Sequence, residues 1–267
     1  NELEIKVEER TYVLQEAMSK LEKSQKELSE ALSKEKQLNE IKSRFVSMAS
    51  HEFRTPLSTV LSSASLLAKY REAEEQEKRQ KHIGRIKDSV NHLNDILEDF
   101  LSLGKLDEGK VLMNPAPFNP EELLQEIIEE MRVHLKKGQH LLFEYSGKNE
   151  LFSDHKLLRN ITINLISNAI KFSDENKEIV LTCKVDPERA ILSVKDEGIG
   201  IAEEDRKHLF SSFFRGHNAV NIQGTGLGLH IVKRYVDLLK GSITLKTEIN
   251  NGSLFRIEIP SLNQHAT

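Results

Sequence analysis

Asn114-Pro-Ala-Pro-Phe-Asn-Pro120 divides this chain into two kinds of structure. The segment holds three prolines, and a proline neither continues a helix nor lets the residue before it remain helical. Before it, apolar residues recur at the spacing of helices. After it, stretches with helical spacing alternate with stretches that have the spacing of strands. The sequence therefore predicts an all-α region followed by an α+β domain.

Residues 1–44 have the apolar pattern of a coiled coil. No proline or glycine occurs before Phe45, and two columns of apolar residues repeat every seven positions. One column contains Val7, Leu14, Leu21 and Leu28, and the other contains Leu3, Ala17, Ala31, Leu38 and Phe45. Arg10, Ser24 and Glu35 interrupt the seam. The pattern fits either a passive dimerisation rod or a rod that changes register to relay a signal.

Residues 45–107 predict two antiparallel helices. Apolar residues continue at helical spacing to Leu67, and charged residues then take over, so we expect the turn near Arg71 to Glu75. The second apolar stripe consists of Ile83, Ile86, Val90, Leu93, Leu97 and Phe100. Two such helices bury their apolar faces poorly alone, but two copies form a four-helix bundle. The sequence therefore predicts a homodimer.

Residues 108–118 are interpreted as a linker, and residues 119–262 as the second domain. The predicted helices are Glu121–Lys136, Asp154–Phe172 and Leu227–Leu239, and the predicted strands are Leu141–Tyr145, Ile179–Lys184, Ala190–Lys195, Ser242–Thr247 and Ser253–Ile259. We expect a hairpin turn at Asn251-Gly252 between the last two strands. This order predicts an α+β sandwich with helices on one face of a mixed sheet.

The composition excludes several classes of partner. A net charge of -4, from 38 basic and 42 acidic residues, gives no basic excess, so we expect neither nucleic acid binding nor direct membrane contact. The single cysteine, Cys183, cannot form an internal disulfide, which favours a cytoplasmic location. Asn1 already lies in helical register, so we expect a sensor domain, and any membrane anchor, upstream of this chain.

The first chemical motif is Ser50-His-Glu-Phe-Arg-Thr-Pro-Leu57. His51, Glu52 and Arg54 crowd one helical turn, and Pro56 interrupts the next turn at a cost of about 3 kcal/mol. Strain of this kind is often found where a segment must move. A lone histidine there could also be an ordinary surface residue of an amphipathic helix.

Two further motifs point to a nucleotide. Asn164 and Asn168 lie four residues apart on one helical face, with Lys171 one turn beyond. Amide oxygens suit Mg²⁺ and an ammonium neutralises phosphate charge, although two asparagines could also satisfy buried backbone groups. Asp196-Glu-Gly-Ile-Gly200 follows a strand, where a carboxylate can accept a hydrogen bond from an exocyclic amine and Gly198 lets the backbone approach a flat ring.

Gly224-Thr-Gly-Leu-Gly-Leu229 opens a predicted helix, so the backbone N–H groups of Gly224, Thr225, Gly226, Leu227 and Gly228 can bind phosphates. It lacks the Lys-Ser/Thr ending of a P-loop. A long loop separates it from Gly200 and contains the phenylalanine-rich segment Leu209–Gly216, which predicts a nucleotide lid. Arg215 in that loop reaches the phosphates or is solvated.

Met48-Ala-Ser-His-Glu-Phe-Arg-Thr-Pro-Leu57 resembles the phosphoacceptor box of sensor histidine kinases, and the later motifs match the ATP-binding boxes of that family in order. The resemblance covers about residues 38–260. It implies an ATP- and Mg²⁺-dependent kinase that phosphorylates its own His51 and passes the phosphoryl group to an aspartate of a response regulator. It also implies a homodimer that joins an all-α coiled coil and helical hairpin to an α+β sandwich of the Bergerat type.

The resemblance also assigns roles to residues. Asn168 becomes the Mg²⁺ ligand with Asn164 in support, and Asp196 binds the adenine amino group. Thr55 orients the water that dephosphorylates the regulator, and Glu52, beside the phosphoacceptor, is our candidate acid or base. Two alternatives remain at this stage. One is a conformational ATPase of the gyrase and chaperone type, which needs no acceptor histidine, and the other is a scaffold without catalysis.

Overall fold

The structure, a computed structural model, describes residues 2–70, 75–219, 222 and 224–262. The chain divides into two units, Asn1–His51 and Glu52–Thr267. A single helix, α1 (Glu2–Leu67), begins in the first unit and ends in the second. Within the part of the chain that is described, none of the helices combines the length and the apolar composition that a membrane crossing requires.

The first unit consists of the N-terminal part of α1. The column Val7, Leu14, Leu21 and Leu28 is 58–70% exposed in the single chain. Covering such an exposed apolar seam with a second helix is energetically favourable. The coiled coil therefore stays a prediction, and the exposure of this column favours it. The side chains of Leu3, Leu38 and Phe45, which belong to the second column, lie outside the described part of the chain.

The second unit opens with a helical hairpin formed by the end of α1 and by α2 (Gln76–Asp107). Pro56 lies inside α1, and the helix continues beyond it to its last residue. A buried hydrogen bond of 3.4 Å joins His82 Nδ1 to Ser63 Oγ, and the rings of Phe53 and Phe100 lie 5.9 Å apart. The predicted turn falls largely on residues 71–74, which lie outside the described residues.

A small sheet precedes the main domain. β1 (Ala116–Phe118) lies within the predicted linker, and it pairs antiparallel with β3 (Leu151–Ser153). Both strands were missed in the sequence. α3 (Pro120–Arg132) begins after Asn119, whose side chain accepts hydrogen bonds from the N–H groups of Glu121 and Glu122. The prediction that this helix extends to Lys136 was wrong, because the chain turns after Arg132.

The main sheet has five strands: β2 (His140–Gly147), β4 (Glu178–Val185), β5 (Arg189–Asp196), β6 (Ser242–Glu248) and β7 (Gly252–Pro260). Their order is β2-β4-β5-β7-β6, with β2 and β4 parallel and the other neighbours antiparallel. Two longer helices, α4 (His155–Phe172) and α5 (Gly228–Leu238), complete the domain. The predicted helical region followed by an α/β sandwich with a mixed sheet is confirmed.

The core lies between the sheet and the helices. Every second residue of β4 and β5 is buried, and so is one side of α4. The fully buried side chains include Ile161, Leu165, Ile166, Ile179, Leu181 and Leu192. Cys183 belongs to the same buried face, and burial raises the pKa of its thiol to about 12, as expected of a small core residue.

The turn between β6 and β7 differs from the prediction. Residues 249–251 form it, and Asn250 has a positive φ of 63°. Gly252, which was expected within the turn, is instead the first residue of β7. A Cβ there would lie 1.9 Å from the backbone oxygen of Asp196, so a side chain has no room beside the end of β5.

Candidate active site

Helix α4 carries one face of the candidate site. Asp154 caps its N-terminus by accepting hydrogen bonds from the N–H groups of Lys156 and Leu157. The buried side of α4 faces the sheet, which leaves Asn164 and Asn168 half-buried on another side. Lys171, in the last turn, is half-buried as well. The predicted alignment of these three residues along one helix is what the structure has.

The second glycine loop packs directly against this face of α4. A Cβ on Gly228 would lie 2.9 Å from Asn164 Oδ1 and 3.9 Å from Asn168 Nδ2. A Cβ on Gly224 would lie 2.2 Å from Lys171 Nζ. The absence of a side chain at both positions lets the loop backbone come this close to the polar side chains without displacing them. The structure brings together the asparagine pair, Lys171 and the segment Gly224–Gly228.

The first glycine loop meets the C-terminal end of the same helix. The N–H of Ile199 donates to the backbone oxygen of Phe172 at 3.2 Å, and a Cβ on Gly198 would lie 2.6 Å from that oxygen. Gly200 has a φ of +66°, and a Cβ there would lie 1.9 Å from the Glu248 oxygen. The loop is thus fixed between α4 and the end of β6.

Asp196 ends β5 and is almost fully buried, with 6% exposure. Its Oδ1 accepts hydrogen bonds from the N–H groups of Gly198 (2.9 Å) and Ser253 (3.1 Å). Burial raises the pKa of its carboxyl group, and the two N–H donors oppose that shift. Both bonds end on the same oxygen, Oδ1, so Oδ2 is the second acceptor atom of this carboxylate.

Lys171 lies in an unusual environment for an ammonium group. Burial and, to a smaller extent, the nearby Arg215 guanidinium lower its pKa to about 8, although Glu52 and Asp99 oppose the shift. Its Nζ lies 5.1 Å from the centre of the Phe172 ring. A partly desolvated cation beside the glycine loop is stabilised by any anion that enters the site.

The predicted lid follows Gly200 and contains turns and a short 3₁₀ helix, His217–Ala219. Buried Asp205 holds it, because its carboxylate accepts hydrogen bonds from His217 N (2.9 Å) and pairs with His217 Nδ1 (2.7 Å). This pairing raises the pKa of His217. Asn218 Nδ2 donates to the Gly200 oxygen at 2.9 Å, which ties the lid to the first glycine loop. The sequence reasoning missed both anchors, since neither belongs to a motif. Residues 220, 221 and 223 lie outside the described part.

Arg215 occupies the inner side of the lid. Its Nη2 donates to the backbone oxygens of Ile222 (2.8 Å) and Ala219 (3.4 Å). Its Nη1 lies 3.7 Å from Glu52 Oε1 on α1. Arg215 is thus not a freely solvated loop residue, and in this structure its charge faces a carboxylate of the helical hairpin.

A second polar contact joins the hairpin to the glycine loop. Thr225 Oγ1 donates to Asp99 Oδ2 at 2.8 Å and accepts from the N–H of Leu227 at 3.2 Å. Burial raises the pKa of Asp99 to about 6, and the hydrogen bond from Thr225 opposes that shift. Asp99 was not predicted from the sequence. In the sequence it is one of several charged residues between the apolar positions of α2, and only its contact with Thr225 distinguishes it from a solvated charge.

The hairpin residues of the first motif are only partly described. The backbone of His51 lies in α1, but its side chain lies outside the described residues. Thr55 is exposed on α1 and borders a groove of about 470 Å³ between the two hairpin helices. His82, Arg85, Asp88, Ser89 and His92 of α2 line its other side.

Comparison with known proteins agrees with the motifs. Residues 41–109 match the family model of the His Kinase A (phospho-acceptor) domain. Residues 153–263 match the model described as histidine kinase-, DNA gyrase B- and HSP90-like ATPase. Together the two models account for more than half of the chain, in the order that the resemblance predicts.

Similar proteins include sensor kinases from two bacteria. The circadian input-output histidine kinase CikA of Synechococcus elongatus is 33% identical over 246 residues, which cover 90% of this chain and 32% of that protein. The sensor protein GacS of Pseudomonas syringae is 32% identical over 268 residues, which cover 97% of this chain and 29% of that protein. The chain thus spans about a third of the length of these relatives.

A solved structure is also similar to this chain. Full-length ShkA in complex with AMPPNP superposes with a TM-score of 0.58 at 31% identity, over 80% of this chain and 45% of that chain. The resemblance to sensor histidine kinases is confirmed by these matches. The phospho-acceptor hairpin and the ATPase domain that follows it show that this chain belongs to the sensor histidine kinases.

Proposed function

We propose that the chain is the kinase core of a two-component sensor, which uses Mg-ATP to phosphorylate His51 and then phosphorylates an aspartate of a response regulator. The observation that carries this proposal is the convergence of both glycine loops on α4, one beside Asn168 and Lys171 and the other at the end of the helix at Phe172. An amide oxygen, an ammonium group and a glycine loop at a helix N-terminus form a typical environment for the phosphates of a nucleoside triphosphate.

In this proposal each end of the nucleotide has its own residues. Asp196 Oδ2 accepts a hydrogen bond from the adenine amino group, because Oδ1 is held by backbone N–H groups. Asn168 is the Mg²⁺ ligand with Asn164 in support, and the ion would neutralise charge on the phosphate oxygens. Lys171 and the N–H groups of Gly224–Gly228 hold the phosphates.

The transfer step joins the two domains. A ring nitrogen of neutral His51 attacks the γ-phosphorus, the bond to the β,γ-bridging oxygen breaks, and ADP leaves. The proton on the other ring nitrogen then needs an acceptor, and Glu52 is the proposed one. Glu52 Oε1 lies 3.7 Å from Arg215 Nη1 in this structure, and we propose that this ion pair opens before the carboxylate accepts the proton.

The hairpin is proposed to form a dimeric four-helix bundle. Leu57, Leu61, Leu97 and Leu101 are 49–71% exposed in the single chain, and a second copy would cover them. Thr55, in the groove between the helices, is proposed to orient water for dephosphorylation of the regulator. A cytoplasmic site of action, an upstream sensor domain and the regulator partner belong to the same proposal.

The test is incorporation of label from γ-labelled ATP into the whole chain in the presence of Mg²⁺. We expect acid-labile, base-stable phosphate in the parent chain and none in His51→Gln. Asn168→Ala is expected to lose the labelling, whereas the control Asn160→Ala, two turns earlier on the same helix and exposed, is expected to keep it.

Two results would contradict the proposal. Steady ATP hydrolysis that is unaffected by His51→Gln, without labelled protein, would favour the conformational ATPase. Failure of the parent chain to bind Mg-ATP would favour the scaffold.

A further inference from the structure

We propose that Asp99 of α2 competes with nucleotide phosphates for the glycine loop, so that the helical hairpin holds the ATP site closed until Mg-ATP displaces it. This inference rests on the proposed function, since it assumes that the site binds ATP. It adds a regulatory contact between Thr225 of the second glycine loop and Asp99, which lies outside the motifs of the nucleotide site.

The first step is the position of the carboxylate. Asp99 Oδ2 accepts a hydrogen bond from Thr225 Oγ1 at 2.8 Å, and the same hydroxyl accepts from the N–H of Leu227 at 3.2 Å. Leu227 immediately precedes α5, so this chain of hydrogen bonds leads from the carboxylate to the N-terminus of the helix. Thr225 is 9% exposed, which places the contact in a largely dry environment.

The second step is the charge that surrounds the carboxylate. The N-terminus of α5 carries a partial positive charge, and Lys171 lies against the same loop at Gly224. Lys171 and Asp99 interact electrostatically, each favouring the charged form of the other. These are the groups that the nucleotide phosphates are proposed to use.

The third step is that the two anions exclude each other. The Thr225 hydroxyl has one proton to donate, so while it donates to Asp99 it cannot donate to a phosphate. The carboxylate and a phosphate also carry like charges, which repel each other strongly in a site of low polarity. Binding of the phosphates therefore requires Asp99 to leave Thr225. Conversely, the contact with Asp99 lowers the fraction of molecules that can bind Mg-ATP.

The fourth step connects this exclusion to the whole domain. Two other contacts hold the hairpin against the same side of the ATPase domain. Arg234 of α5 donates to the Leu106 oxygen at 3.2 Å and lies 3.4 Å from Asp107 Oδ1. Arg215 in the lid faces Glu52. Nucleotide binding, by removing Asp99 from the loop, would weaken this docked arrangement and let the domain move toward the phosphoacceptor.

The experiment compares the whole parent chain with Asp99→Ala, and titrates each with Mg-ATP and with adenosine. The control is Asp95→Ala, which removes an exposed carboxylate one turn earlier on α2. Because a hydrogen bond to a charged acceptor is lost, we expect Asp99→Ala to bind Mg-ATP about tenfold more tightly. Adenosine, which has no phosphates, should bind all three proteins equally.

Two outcomes would overturn the inference: an unchanged Mg-ATP affinity in Asp99→Ala, or an equal gain for adenosine, which would indicate general opening of the site. A parent chain that binds no ATP would instead refute the proposed function. Thermal unfolding of each variant confirms that it is folded, and Asp99→Ser provides a second test if the alanine variant does not fold.

Discussion

Gly226→Ala is predicted to destabilise the nucleotide site, because both the backbone conformation and a backbone clash oppose a side chain at this position. Gly226 has a φ of +70°, a conformation that costs a residue with a side chain about 1–2 kcal/mol. Its Cβ would also lie 2.6 Å from the Phe214 oxygen and 2.9 Å from the Phe213 carbonyl carbon. These are backbone atoms, so relief of the clash requires the lid to move, at a further cost of about 1–3 kcal/mol.

We therefore expect Gly226→Ala to lower the free energy of unfolding of the ATPase domain by about 2–5 kcal/mol. Urea unfolding followed by tyrosine emission measures this, because the chain has no tryptophan and Tyr235 is buried in α5. The matched control is Gly216→Ala in the same lid, which has no positive φ and whose nearest neighbour, Asp205 Oδ2 at 3.1 Å, belongs to a side chain. Equal losses in the two variants would refute the argument from backbone clash.

Three further predictions concern charge and chemistry. Asp196→Asn keeps an oxygen for the N–H groups of Gly198 and Ser253 but replaces Oδ2 by a donor, so stability should hold while calorimetry shows at least about tenfold weaker ATP binding. Thr55→Ala should keep labelling of the chain by ATP and lose dephosphorylation of the phosphorylated regulator; full dephosphorylation would contradict the proposed role. The Asp99 contact should respond to pH: burial raises the pKa of Asp99 to about 6 from an ordinary 3.8, so the docked state takes up a proton as the pH falls through 6 and becomes more stable. The groups that surround this carboxylate are the same in the parent chain and in Asp99→Ala: Asp95, Glu98, Lys171 and Thr225. The difference between the two pH profiles therefore reports on Asp99 itself. Between pH 7.5 and 5.5 the Mg-ATP affinity of the parent should fall about fourfold more than that of Asp99→Ala, and parallel pH profiles would refute this.

The parts of the fold that sequence reasoning predicted are those with strong local patterns. α4 carries its spacing, its cap and its polar face within one segment, so the helix and the face that carries the proposed site residues could be predicted together. The five strands of the main sheet were also recognisable, because buried and exposed residues alternate along β4 and β5. Prolines marked the boundary between the two regions of the chain.

The missed elements depend on contacts between distant segments. β1 and β3 have three residues each, and Pro117 lies in the centre of β1, so neither shows an alternating pattern. The pairing of Ala116 with Ser153 becomes visible only in three dimensions. The predicted α3 was too long because the local apolar pattern continues beyond the end of the helix. Val133 and Leu135 continue an apolar spacing, although the chain must turn before Gly138, which has a φ of +71°.

The site shows the same division between local pattern and tertiary contact. Glycines were predicted from motifs, but the closest neighbours, such as the Glu248 backbone oxygen beside Gly200, are visible only in the structure. Lid anchors such as Asp205 and the hairpin residue Asp99 have no motif at all. Their roles follow from burial beside a hydrogen-bond donor, which a single sequence does not encode locally.

The contacts of Asp99 and Glu52 suggest a common logic for the two domains. Each hairpin carboxylate faces a group that the nucleotide or the lid is proposed to use: Thr225 for Asp99 and Arg215 for Glu52. In the proposed mechanism Glu52 acts as the base and the glycine loop binds ATP, so both contacts are proposed to open before phosphate is transferred to His51. Because the incoming phosphates repel Asp99 and attract Lys171, the substrate itself supplies free energy for opening the first contact. In the proposed mechanism the docked arrangement therefore precedes nucleotide binding, and Mg-ATP is the ligand that releases it.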